Sequence, residues 1–116
     1  MTQEYIGTLQ ATAWAVKDGE EHGYCVRGAD GKGKWWDKAT FEATFISLGH
    51  ISHLPPAQQA ILGERAELAV RITAMEAAAT SPEFEAVPAQ EQQRQKIQID
   101  AMRIYHDVLM DRIAAF

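Results

Sequence analysis

The sequence predicts an α+β fold, with a small N-terminal antiparallel β-sheet and a short helix followed by a long antiparallel C-terminal αα-hairpin, in one domain that oligomerises. Three observations predict it. Residues 1–53 hold short runs of β-formers separated by glycine-bearing turns. Residues 54–116 hold two long helical patterns interrupted only at Thr80–Pro88. The last of these helices carries apolar groups on two faces. One stripe is Met102, Tyr105, Leu109, Ile113 and Phe116; the other is Ile97, Ala101, Ile104 and Val108. Met102 and Ile104 lie roughly 200° apart around the axis, so a neighbouring helix can cover one stripe and a sheet or a second subunit must cover the other.

The elements follow in order. Tyr5–Val16 mixes β-formers with Ala and Gly and ends at the turn Lys17-Asp18-Gly19. Gly23–Arg27 is a short strand, Ala29-Asp30-Gly31-Lys32-Gly33 a tight loop, and Lys34-Trp35-Trp36 the hairpin partner. The carboxylate of Asp37 suits the N-cap of a helix over 38–48, with Phe41, Phe45 and Leu48 on one face and Gly49 as its stop. After a connector, Pro55-Pro56 opens a helix over 56–79, since proline in the first turn removes only an amide that lacks a helical partner. Ile61, Leu68, Ile72 and Met75 face inward, and Gly63 is the weak point. Ser81-Pro82-Glu83-Phe84-Glu85 reads as a single helical turn at the hairpin tip, where the Phe84 ring must find cover. The second helix then runs over 89–115.

Composition excludes several functions. A net charge of −5 is not the footprint of a protein that binds a nucleic-acid polymer. With one cysteine, Cys25, there is no intrachain disulfide and no CxxC. Neither a signal peptide nor a run of ~18 apolar residues is present, so a soluble, cytoplasmic protein without a membrane partner is expected. His22 with Cys25, and His50 with His53, are spaced like metal pairs, but two ligands do not make a zinc site. No P-loop, GxGxxG or GxSxG occurs, and no metal, cofactor or enzyme chemistry is expected.

Two features remain open to a ligand. Adjacent residues in a strand point to opposite faces, so one of Trp35 and Trp36 enters the core and the other meets solvent, a purine or a partner. Among the hairpin arginines, Glu67–Arg71 and Asp100–Arg103 read as solvated ion pairs. Arg112 stands apart because Asp111, its neighbour, points elsewhere.

The ordered set Gln58-Gln59, Glu64, Leu68, Ile72, Ser81-Pro82-x-Phe84, Pro88, Gln95 and Met102-x-x-Tyr105-x-x-x-Leu109-x-x-Arg112-Ile113 resembles the helical hairpin shared by two phage immune-evasion families, the Thoeris anti-defence proteins and the anti-CBASS proteins. It covers Pro56–Phe116. The front half, with Gly23-Tyr24-Cys25-Val26, Asp30-Gly31, Trp36 and Phe41-Glu42, resembles the β-rich segment that precedes the hairpin in the Thoeris type. The resemblance implies a homodimer or homohexamer that sequesters cyclic ADP-ribose isomers, and in some members cyclic oligonucleotides, without cleaving them. It departs from the common pattern at Ala77-Ala78-Ala79 and at Gly28-Ala29. Carried over residue by residue, Arg112 would fork phosphates, Phe84 would stack on adenine and Gln95 would meet ribose hydroxyls; the chemistry such a ligand needs adds Arg103 for phosphate and Trp36 for adenine, with Tyr105 lining the site. The competing expectation is an oligomeric interaction module with no small ligand.

Overall fold

The computed structural model describes residues 1–116, with the side chain of Asp18 excepted. It contains two compact units, Met1–Ile46 and Ser47–Phe116. The first holds strands β1 (Thr12–Asp18), β2 (Glu21–Arg27) and β3 (Gly33–Asp37) and helix α1 (Lys38–Thr44). The second holds α2 (Pro56–Ala79), a 3-10 turn over Pro82–Ala86, and α3 (Ala89–Ala114).

The sheet is antiparallel in the order β1-β2-β3. Its turns use glycine where φ is positive, at Gly19 (62°) and Gly31 (80°). Asp30 helps close the second turn by accepting the Lys32 amide hydrogen at 2.9 Å. Tyr5–Ala11, expected to begin the first strand, lies outside the sheet. Thr12 pairs with Arg27, the last residue of β2 before its turn, so the chain upstream of Thr12 has no β2 residue left to pair with.

Helix α1 covers one face of this sheet. Phe41 stacks on Tyr24 with ring centroids 4.0 Å apart, and Phe45 meets Trp36 edge-on at 5.4 Å. Asp37 caps the helix as expected, accepting the Thr40 amide at 3.0 Å, and this bond holds its carboxyl below the usual range. The Tyr24 hydroxyl donates to Glu42 at 3.0 Å, a bond that raises the phenol's pKa. The helix expected over 38–48 stops at Thr44. The Thr44 hydroxyl donates back to the Thr40 carbonyl at 2.7 Å, Phe45 is extended, and the residues that follow are the weak helix formers Ile46 and Ser47.

In the second unit, the less exposed residues of α3 beyond Glu91 in its first turn are Gln92, Gln95, Ile99, Met102, His106, Leu109 and Ile113, at alternating steps of three and four. On α2 the series Gln58, Ile61, Arg65, Leu68, Ile72, Met75 and Ala79 runs at the same steps, within a broader covered face that also holds Leu62, Ala66 and Ala69. This is the seam of an antiparallel pair. It corrects the first predicted stripe: Tyr105 and Phe116 are 45% and 44% exposed, and His106 takes the inward place beside Leu109, which is 1% exposed. A seam of period 3.5 follows Met102 by four residues, to His106, rather than by three. Arg103 ties the helices together through Nε and Nη2 on Glu76 Oε1, at 3.0 and 2.6 Å.

Two positions in the hairpin yield predictions. Gly63 faces a leucine methyl rather than another backbone: a Cβ there would sit 3.8 Å from Leu48 Cδ1, an ordinary contact. Gly63→Ala should therefore stabilise the protein by about 0.5–1 kcal/mol, seen as a raised midpoint in thermal or urea unfolding. The His106 Nε2 atom is buried with no hydrogen-bond partner among the described residues. His106→Leu, apolar at an inward position, should gain about 1–3 kcal/mol by removing that unmet polar group; an unfolding midpoint lower than that of the parent protein would show that the ring has a partner in solution.

Candidate functional site

The chain break between the helices builds the tip of the hairpin. Pro82 starts the 3-10 turn, and the Ser81 hydroxyl donates back to the Ala78 carbonyl at 2.7 Å instead of capping forward. This turn buries Phe84. Gln92 reaches across from α3 and donates from Nε2 to the carbonyls of Phe84 (3.0 Å) and Val87 (2.8 Å). The ammonium of Lys96 lies 6.0 Å from the Phe84 ring centroid, within cation–π range. Gln95, half-buried, sits one turn beyond Gln92 on the same side of α3. An aromatic ring, two amides and one cation thus gather at the tip. Gln92 and Lys96 were not expected there; Pro88, which precedes the first residue of α3, is the signal, since it sets the register in which residues four apart share the face toward Phe84.

The arginines lie elsewhere. Arg103 is engaged, with Glu76 at 2.6 Å and Asp100 at 3.7 Å. Arg112 forms no ion pair among the described residues and stands in the last turn of α3, where a cation suits the helix dipole. Seventeen residues separate Gln95 from Arg112, about 26 Å of helix at 1.5 Å per residue. Within one chain, Phe84 and Gln95 are therefore at one end of α3 and Arg112 at the other. Tyr105, exposed, lies seven residues before Arg112 on the same side. Trp36 belongs to the first unit, on the α1 side of the sheet, where Phe41 and Phe45 both meet its ring edge-on.

A second apolar face runs along α3. Ile97, Ile104 and Val108 are 60%, 67% and 51% exposed, and Ala101 is exposed between them. The helix is two-faced as the sequence predicts, and among the described residues of its own unit none covers its outer stripe.

His22 and Cys25, three apart on β2, point to opposite faces of the sheet. Among the described residues no group of three or more His, Cys, Asp or Glu is placed to hold a metal ion, and no helix is long and apolar enough to cross a membrane.

The hairpin is also the part of the chain that a family model matches. A family model described as Sequestin matches residues 55–115, more than half of the chain. The chain belongs to the Sequestin family. The match covers α2, the tip turn and α3, so the Sequestin part of the molecule is the hairpin that carries Phe84, Gln95 and Arg112. Membership in Sequestin fits a sequestering protein. No curated protein and no solved structure matches the chain.

Proposed function

We propose that this protein is a phage-encoded immune-evasion sponge that binds nucleotide second messengers, cyclic ADP-ribose isomers and also cyclic oligonucleotides, and holds them intact in the cytoplasm of the infected bacterial cell. The observation that carries the reading is the hairpin itself. It is the part matched by Sequestin, and it combines an aromatic tip with an uncovered apolar stripe and a distant arginine lacking an ion pair among the described residues.

The stripe explains how the distant groups serve one ligand. Its centre lies between Ala101 and Ile104. Two copies of α3 packed antiparallel about that centre bury both stripes against each other, as a twofold dimer requires. Arg112 of one copy then falls opposite the partner's Gln93, at the Phe84 end of the partner's hairpin, with the partner's Gln95 around the helix on its α2-facing side. Each dimer has two such sites. The ring of Phe84, 9% exposed in the single chain, meets a base when the tip turn opens; Gln95, half-buried toward α2, then offers an amide for ribose hydroxyls and the incoming Arg112 a planar fork for phosphate. Binding asks for no bond to be broken, so the ligand leaves as it came.

The test is direct. The purified protein is incubated with a panel of cyclic ADP-ribose isomers and cyclic oligonucleotides, washed and denatured, and the released small molecules are identified. Intact messenger is the expected result. Altered messenger would make the protein an enzyme, and no retained molecule would leave an interaction module.

A further inference from the structure

The face of the sheet opposite α1 carries an arrangement the hairpin reading does not use. Trp14 on β1, Cys25 on β2 and Trp35 on β3 stand in one row across the sheet, with Gly23 and Gly33 at neighbouring positions of the same face. Trp14 is 44% and Trp35 39% exposed. A Cβ at Gly23 would collide with the six-membered ring of Trp35, so this indole crosses from β3 to lie on β2. A Cβ at Gly33 would collide with Cys25 Sγ and would stand 3.9 Å from Cη2 of Trp14. Trp14 therefore reaches from β1 past β2 to β3, two strand spacings or about 9–10 Å. Indoles that reach this far sideways lie along the sheet rather than standing up from it. The two glycines are what lets them lie down, and each ring keeps a face turned outward.

One cation stands beside this face. Arg27 places its guanidinium 5.8 Å from the Trp14 ring centroid. From Arg27 to Lys38 the chain carries Arg27, Lys32, Lys34 and Lys38 against Asp30 and Asp37; Arg27 shares the face of Trp14, whereas Lys34, opposite Val26, lies on the α1 side and Lys38 opens α1. Both carboxylates are engaged, Asp30 with the Lys32 amide and Asp37 with the Thr40 amide. Flat aromatic faces beside a cation match a molecule with a planar base and an attached phosphate, because every base has a π-face and stacking needs no directed donors.

We propose that Trp14 and Trp35 form a stacking platform for purine bases and that Arg27 receives the attached phosphate. The proposal rests on the nucleotide-sequestration reading and gives it a site in the first unit. The probes are 5′-AMP and adenosine, titrated into the full chain while the three indole N–H resonances are followed by NMR. AMP is expected to shift the Trp14 and Trp35 signals and leave that of Trp36 in place. Trp14→Leu and Trp35→Leu, which keep an apolar cover over the glycines, should each weaken AMP binding about tenfold to a hundredfold. Trp35→Phe should retain most of the affinity, and Arg27→Gln should weaken AMP but not adenosine.

Unshifted indoles, or unchanged affinity in folded Trp→Leu variants, would overturn the platform. Indole shifts that appear on concentrating the protein without AMP would overturn it in favour of a protein-binding face. The two readings fail separately: a cyclic nucleotide retained without indole shifts leaves the sponge and removes the platform, whereas AMP on the indoles with no cyclic nucleotide retained does the reverse.

Discussion

Ile104→Lys is expected to leave a folded monomer that has lost its ligand. The side chain is 67% exposed in the single chain, so a lysine there does not disturb the hairpin seam. In an antiparallel pair of α3 helices the same position is central and is met twice, once from each copy. Burying an isoleucine is worth about 1.5–3 kcal/mol, so its loss on both sides costs about 3–6 kcal/mol, a hundredfold or more in the dissociation constant. Two ammonium groups facing one another add to that. Light scattering should report a monomer with a near-parental melting curve, and ligand binding should vanish because each site draws on both copies. A wild-type protein that is monomeric at micromolar concentration would remove the argument.

The second large effect is at Arg112. If its guanidinium forks the phosphates, Arg112→Ala removes a charge-assisted contact of about 1.5–3 kcal/mol, a loss of roughly tenfold to over a hundredfold in affinity. Arg112→Lys should recover only part of it, since an ammonium cannot reproduce the planar fork. Stability should fall by no more than about 0.3–1 kcal/mol, the value of a cation in a last helical turn. Phe84→Tyr should be mild for both quantities. Calorimetric titration beside thermal melts separates the roles: unchanged affinity in a folded Arg112→Ala protein would exclude this arginine from the pocket.

Much of the hairpin was legible before the structure. Pro56, the Ser81-Pro82 break and Pro88 mark the helix ends through backbone restrictions that are local and do not depend on packing. The β2–β3 hairpin was legible for the same reason, through Asp30-Gly31 and the alternation of Trp35 and Trp36. What depended on a partner element was not. Tyr105 and His106 compete for one place in the seam, and apolarity favours the tyrosine, whereas the register set by α2 selects the histidine. Tyr5–Ala11 has strand propensity, but β2 is too short to pair with it. Phe84 was legible as a ring needing cover, while its neighbours Gln92 and Lys96 became visible only once the tip was folded. Trp14 carried no sequence signal, because its course across the sheet depends on a register that sets glycines on β2 and β3 beside it.

The central claim, that two copies share each site, has a direct measurement in mixed dimers. Phe84→Leu keeps an apolar side chain at the tip while removing the aromatic face, and Arg112→Ala removes the fork; each alone should bind a cyclic ADP-ribose isomer weakly. Unfolded and refolded together, they form dimers in which one site has regained both wild-type residues and the other has lost both. With random pairing, half of the dimers are mixed and half of their sites are whole, so about a quarter of wild-type capacity should return at wild-type affinity. No recovery of tight sites in a mixture shown to contain mixed dimers would contradict the shared site.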